Sequence, residues 1–266
     1  MKKCLIYIYL LLLTSLCCLQ AGAVSSEIRS LSVSDGLPDL VINTIYKDSK
    51  GYVWMGTNTS VERFDGIRLE HYMVEGSNEN LKRVFALVEM PGNELWVGTG
   101  MGLFRLADDA EKLERLAPEM ITSGVHAFCK LGDVLYVGTE KGLYVYKGGV
   151  FEHVLVDKNI FSRANFVTGM VEGENGILWL STMGGLKSLR LSDQSITSFS
   201  DKLAKNGQNL SFYNITRIGS KIFMGTMTSG LVLFDTASKH FSRYLDVGCG
   251  AVSYTHLRAH ETSAHL

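Results

Sequence analysis

The chain has 266 residues, 46% hydrophobic and 20% charged, with a formal net charge of −1. This is ordinary globular composition, long enough for one large all-β domain or two smaller ones, and the near-neutral balance gives no sign of a nucleic-acid or acidic-lipid partner. Its 27 Gly and 3 Pro suit many tight turns between short strands, and its 5 Cys, of which Cys4, Cys17 and Cys18 lie near the start, exclude a disulfide scaffold.

The N-terminus, "MKKCLIYIYLLLLTSLCCLQAGAVSS", places Lys2 and Lys3 before an apolar run from Leu5 to about Leu19, then Ala21-Gly22-Ala23. This order predicts a cleaved secretory signal peptide over residues 1–23. An uncut anchor is the alternative, but the run is short for a bilayer span. A lipoprotein site at Cys17 is disfavoured by Leu16, where a small residue would be wanted. Next, "EIRSLSV" (Glu27 to Val33) reads as an orphan strand able to complete a sheet elsewhere.

From there a motif recurs: "VWMGTNTSVERF", "LWVGTGMGLF", "LYVGTEKGLY", "LWLSTMGGL" and "IFMGTMTSGLVLF". Its threonines, Thr57, Thr99, Thr139, Thr182 and Thr226, are spaced by 42, 40, 43 and 44 residues, a period that signals stacked repeats. Each copy follows one plan. A β-compatible stretch ("VINTIYKD", "RVFALVEM", "VHAFCKL", "FVTGMVEG", "YNITRIG") leads through a Gly-, Asn- or Asp-containing turn into the motif strand, which carries Trp54, Trp96, Tyr136, Trp179 or Phe223. A third strand follows a second small residue, and a more polar fourth strand ("IRLEHY", "KLERL", "VFEHVLV", "SITSF", "KHFSRY") closes the unit. The second strand is apolar on both faces, as a strand covered by neighbouring sheets should be. The alternating, charged fourth suits an edge in water.

Four-stranded antiparallel units of this length, set radially, make a β-propeller. The sequence therefore predicts an all-β fold with about five blades over residues 24–251 and an incomplete ring. Each motif aromatic is expected to pack onto the next blade, with Gly-Thr marking the turn from strand two to strand three. A β-sandwich would have to repeat five times in register by chance. A WD40 propeller would need Gly-His and Trp-Asp pairs that are not found. The last stretch, "VSYTHLRAHETSAHL", breaks the period, and Val252 to Thr262 resembles the one-frame translation of a transposase-type sequencing adapter. Residues 252–266 are accordingly expected to be a non-native tail, whose His256, His260 and His265 form no metal site.

The stretch from Leu31 to Gly66 resembles the opening of two-component-regulator propeller sensors, through Gly36-Leu37, Asp48, Gly51, Trp54, Gly56-Thr57 and Phe64-Asp65-Gly66. Ser60-Val61 departs from the usual Gly-Leu, which the later copies keep. The resemblance implies the periplasmic part of a hybrid two-component receptor: a longer parent with a second propeller, a β-sandwich domain, one inner-membrane span, and kinase, receiver and helix-turn-helix modules. It also implies oligosaccharide inputs and a homodimer in the full-length receptor.

Searches for chemistry give little. "GTGMG" recurs as a turn and is followed by no helix pattern, so it is not a dinucleotide fingerprint. His-Glu-x-x-His, Gly-x-Ser-x-Gly and P-loop motifs do not occur. Asp48, Glu89 and Glu172 fall at equivalent strand ends and read as turn residues. His71, His126, His153 and His240 lack ligand spacing. No catalytic residue, metal or cofactor is expected, and a ligand-sensing module is favoured over the alternative, a secreted propeller lyase or hydrolase acting on glycans. The candidate ligand-binding residues lie on the long connections "GLPDLVIN", "SNENLKRV", "SRANF" and "NGQNLSFYN": Asn43, Arg83, Arg163, Asn165, Phe166, Tyr213 and Asn214. Aromatic faces that stack on sugar C–H surfaces and planar polar groups that bridge hydroxyls suit an oligosaccharide, and such loops vary freely on a rigid scaffold.

Overall fold

The computed structural model describes residues 30–74, 81–199, 203, 210–226 and 229–245. The expected signal peptide and the expected tail lie outside the described residues. The chain divides into an N-terminal unit ending at Ser32 and a second unit starting at Val33. Of the orphan strand expected over Glu27 to Val33, residues 27–29 lie outside the described set. Ser30 to Ser32 carry no strand, and Val33–Asp35 is a 3-10 turn. A lone strand needs a paired edge to form.

The second unit contains five four-stranded antiparallel sheets, each built from consecutive strands in sequence order. Blade 1 is β1 (Thr44–Lys47), β2 (Val53–Gly56), β3 (Val61–Phe64) and β4 (Leu69–Tyr72). Blade 2 is β5 (Val84–Met90), β6 (Glu94–Thr99), β7 (Gly102–Leu106) and β8 (Glu114–Arg115). Blade 3 is β9 (Val125–Leu131), β10 (Val134–Thr139), β11 (Gly142–Lys147) and β12 (Val150–Val154). Blade 4 is β13 (Val167–Glu172), β14 (Ile177–Thr182), β15 (Gly185–Arg190) and β16 (Ile196–Phe199). Blade 5 is β17 (Phe212–Ile218), β18 (Lys221–Thr226), β19 (Leu231–Asp235) and β20 (His240–Leu245). The first strands of successive blades neighbour one another, so they line the inner side of an arc, and the ring is not closed.

The repeated Gly-Thr has two separable jobs. The threonine hydroxyl clamps the turn to the third strand: Thr99, Thr139, Thr182 and Thr226 Oγ1 donate to the carbonyls of Gly102, Gly142, Gly185 and Gly230 at 2.7–3.0 Å. In the same turns the oxygen accepts backbone N–H bonds, as from Met101 and Lys141. Thr57 does the same through Ser60. The glycine is where the next blade approaches. A Cβ on Gly98 would stand 2.8 Å from Val125 Cγ1, and one on Gly138 would stand 2.9 Å from Val167 Cγ1.

The motif aromatics fill the space between blades. Trp54 packs with Val84, Leu95 and Phe104 of blade 2, Trp96 with Tyr144 of blade 3, Tyr136 with Leu178 and Leu189 of blade 4, and Trp179 with Phe212 and Phe234 of blade 5. Their polar edges are also met: Trp54 Nε1 donates to Asp48 Oδ2 at 2.7 Å, so Asp48 is a brace for the indole. Phe223, the fifth aromatic, meets Tyr244 of its own blade edge-on and keeps partial exposure.

Candidate functional site

The site begins with an irregularity shared by blades 2 to 5. Where the first strand pairs with the second, one residue is skipped. Val84 faces Thr99 and Ala86 faces Gly98, leaving Phe85 outside the ladder. The same shift leaves out His126, Thr168 and Tyr213. These are β-bulges, which turn a side chain away from its regular position. Blade 1 has none there: Thr44 faces Gly56, and Asn43 N–H donates to the Gly56 carbonyl at 2.8 Å. The Val preceding each bulge in blades 2 to 4 is the residue that meets the previous blade's glycine or small residue, so the inter-blade packing holds the bulge in place.

The bulged residues reach across blades at the rim where the first strands enter. The Phe85 ring lies 4.1 Å from the His126 ring, and His126 lies 4.7 Å from Phe166, which directly precedes β13. Three rings from three blades thus form one row. Thr168 Oγ1 donates to the Phe212 carbonyl at 2.6 Å, tying blade 4 to blade 5 beside that row. Arg83 holds its guanidinium over Phe85, 5.3 Å from the ring centre. His126 Nε2 is 3.1 Å from Glu140 Oε1. Burial pushes the His126 pKa below its ordinary value, and the nearby Arg83 acts in the same direction, while Glu140 opposes both. Burial thus favours the uncharged form of the His126 imidazole.

The seven residues singled out in the sequence occupy different roles around this rim. Asn43 is 3% exposed. Its Oδ1 accepts Arg83 Nε at 2.9 Å and its Nδ2 donates to Asn58 Oδ1 at 3.1 Å, so it orients Arg83. Arg163 is exposed, on the 3-10 turn Arg163–Asn165, and donates to Ser211 Oγ at 2.8 Å. Phe166 joins the ring row. Asn165 is 1% exposed and acts as a loop latch, accepting the Asp157 N–H and donating to the carbonyls of Asp157 and Asn159. Tyr213 is the bulged residue of blade 5. Asn214 faces Gly225 in the ladder, and its Oδ1 accepts the Ile215 N–H. The structure brings Asn43, Arg83 and Phe166 into one connected rim with Phe85 and His126. Sequence reasoning missed those last two, which lie inside strands rather than loops. The signal for them was a bulky apolar residue followed at once by an aromatic or polar one at each strand entry.

A second opening lies at the outer edge, between blades 1 and 2. Rings of the following blade cover Trp96 and Trp179: Tyr146 and Phe151 in one case, Phe234 backed by Phe241 in the other. Blade 2 has Leu106 and Leu113 at those places. The fourth strand expected over "KLERL" shrinks to Glu114–Arg115, because Leu113 bridges instead to Val74 of blade 1 and donates its N–H to the Met73 carbonyl at 2.9 Å. This leaves a cleft of about 650 Å³ bordered by Trp54, Arg63, Tyr72, Asn93 and Glu111. Arg63 lies over Tyr52 at 4.7 Å and over Trp54 and Tyr72 at 5.6 Å, and it is bonded to Glu70. Hydrogen bonds from Tyr72 and Arg63 hold the Glu70 carboxyl below its usual range.

The family model described as "Two component regulator propeller" matches residues 36–59, the stretch that contains β1, β2 and the Thr57 turn. The similarity to that family is confined to this part of blade 1. Among solved structures, the extracellular domain of a hybrid two component system from B. thetaiotaomicron has a TM-score of 0.68 at 19% identity, over 79% of this chain and 28% of that one. The extracellular domain of a second such system from the same organism gives 0.65 at 23% identity, over 80% and 31%. The chain thus spans under a third of these solved domains. A streptogramin B lyase structure gives 0.59 at 13% identity, over 79% and 70%. At such identities the likeness establishes the fold, a β-propeller, and that fold hosts both sensors and enzymes. No curated protein matches the chain. Among the described residues no helix is long and apolar enough to cross a membrane.

Proposed function

We propose that this chain belongs to the periplasmic ligand-sensing propeller of a hybrid two-component receptor. In this reading it binds oligosaccharides at the inner rim and passes the signal to kinase and transcription-regulator portions beyond the sequence. The observation that carries the reading is the row Phe85–His126–Phe166, its first two rings turned by β-bulges on a rigid blade scaffold. The partly exposed Phe85 and Phe166 rings can stack on the C–H surfaces of linked sugars, and Arg83 and Glu140 beside the row offer hydrogen bonds to hydroxyls. The regulator propeller match in blade 1 and the receptor domains sharing the fold support the sensor role. In the full-length receptor we expect a homodimer anchored in the inner membrane.

The test is calorimetry of the full extracellular region against glycan fragments. Phe166→Ala and Phe85→Ala should each weaken a binding fragment by about 1 kcal/mol or more, roughly fivefold. A fragment that binds with both variants unaffected would move the site elsewhere. The His126–Glu140 pair is the feature that suits the alternative, a glycan-acting lyase or hydrolase, since burial favours the uncharged imidazole that a general base requires. Turnover of a bound glycan that His126→Asn abolishes, with binding retained, would favour that alternative.

A further inference from the structure

The outer cleft between blades 1 and 2 stands where other junctions place two rings. In blade 3, Tyr146 pairs with Leu135 and Phe151 pairs with Tyr146, and the two rings close over Trp96 at 4.8 and 5.9 Å. Blade 5 repeats the plan: Phe234 pairs with Ile222, Phe241 pairs with Phe234, and the Phe234 ring lies 5.5 Å from Trp179. Blade 4 carries aliphatic residues at these positions, Leu189 and Ile196, but the side chain they meet is the smaller Tyr136. In blade 2 the position paired with Leu95 holds Leu106, and Leu113 is drawn aside to Val74. A tryptophan, Trp54, therefore meets aliphatic groups alone, and the junction is short of ring volume by a cleft of about 650 Å³. Small-molecule sites typically enclose roughly 300–1,000 Å³.

The lining selects what could fill this space. Arg63 rests its guanidinium on the rings of Tyr52, Trp54 and Tyr72, and its side chain stays 29% exposed. A guanidinium plane stacks on aromatic faces, so Arg63 can carry a further ring as the outer layer of that stack. Leu106 and Ala110 add apolar wall. The turn after β7 brings Asp108, Asp109 and Glu111 to the same cleft. Asp108 is bonded to Lys50 and Asn93, and Asp109 feels the Lys50 charge at longer range. Glu111 has no hydrogen bond or ion pair among the described residues. The cationic side chains bordering the cleft are already matched, Arg63 by Glu70 and His71 by Glu62. The uncompensated charge is therefore negative, and it stands beside a place shaped for a flat ring.

We propose that the outer cleft is a second ligand site, for a small aromatic amine whose ring stacks on Arg63 against Leu106 and Ala110 and whose ammonium lies by Asp109 and Glu111. The ring would do for this junction what Tyr146 does for the next, and the site is independent of the inner rim. The test is calorimetry of the full chain with tyramine, its uncharged and acidic counterparts p-ethylphenol and p-hydroxyphenylpropionate, and the non-planar cyclohexylethylamine. Tyramine should bind, and the other three should each be weaker by about tenfold or more. Added salt should weaken tyramine, as it does other exposed charge pairs. Glu111→Gln should weaken tyramine by about two- to fivefold, the range of an exposed ion pair, and leave p-ethylphenol unchanged. Leu106→Phe, which restores the ring of the other junctions, should raise the melting temperature and abolish binding. Should that core change prevent folding, Ala110→Trp fills the cleft from a surface turn and should abolish binding as well. Phe85→Ala and Phe166→Ala should leave tyramine unaffected, which separates this site from the rim. The proposal is overturned if the acid or the saturated ring binds as well as tyramine, if Ala110→Trp leaves binding intact, or if tyramine does not bind at millimolar concentration.

Discussion

Thr139 shows how one hydroxyl can make a ten-residue motif recur. Its Oγ1 donates to the Gly142 carbonyl at 2.8 Å and accepts the Lys141 N–H at 3.1 Å, bracing the turn at the end of the β10–β11 ladder. The site is fully buried, so water cannot replace the hydroxyl. Thr139→Val keeps the shape and removes both hydroxyl bonds; chemical denaturation should show a loss of about 1–3 kcal/mol. His126 gives a pH-dependent counterpart. Its folded pKa lies below the ordinary 6.5, so the unfolded chain binds the proton more readily. Its contribution to stability is complete above that ordinary value and is lost as pH falls through the folded pKa. His126→Phe should flatten this part of the profile of melting temperature against pH, and a profile unchanged by the substitution would show that His126 is not the titrating group.

At the scale of the strand, the two-sided apolar pattern made the second strands readable, because it records burial directly. Trp96 is 3% exposed and meets Tyr146 at 4.8 Å and Phe151 at 5.9 Å across the blade boundary. Trp96→Ala should cost about 3–5 kcal/mol in equilibrium unfolding, as for other large buried aromatics. The bulges were not readable in this way. "RVFALVEM" and "VHAFCKL" look like unbroken strands, since a single skipped residue costs the pattern one position and both its neighbours are apolar. Phe85 and His126 therefore passed as ordinary strand positions, while the flanking loops gave Arg83, Arg163 and Phe166. Asn165 illustrates the opposite error of emphasis: a polar residue in a long connection, it is spent on that connection's own backbone. The shortened outer strand of blade 2 was hidden for a related reason. "KLERL" alternates correctly, and only the pull of Leu113 toward Val74 breaks its pairing.

Across the whole molecule, a stack of repeats is held by nearest-neighbour interfaces, and its stability is close to a sum of blade and interface contributions. Blades 2 and 3 touch mainly through their inner strands and the Trp96 cluster. Blades 1 and 2 have an added tie at the opposite edge, the bond from the Leu113 N–H to the Met73 carbonyl. Fastened at both the inner and the outer edge, this pair lacks a hinge about which one sheet could swing from the other. It should open as one cooperative unit in native-state hydrogen exchange, with the Leu113 amide and the inner-strand amides of β1 and β5 sharing a single opening free energy. Leu113→Pro, which removes the N–H, should split that value in two and let blade 1 exchange first. The outer-edge tie, bought at the cost of a regular fourth strand, would then set the order in which the arc comes apart.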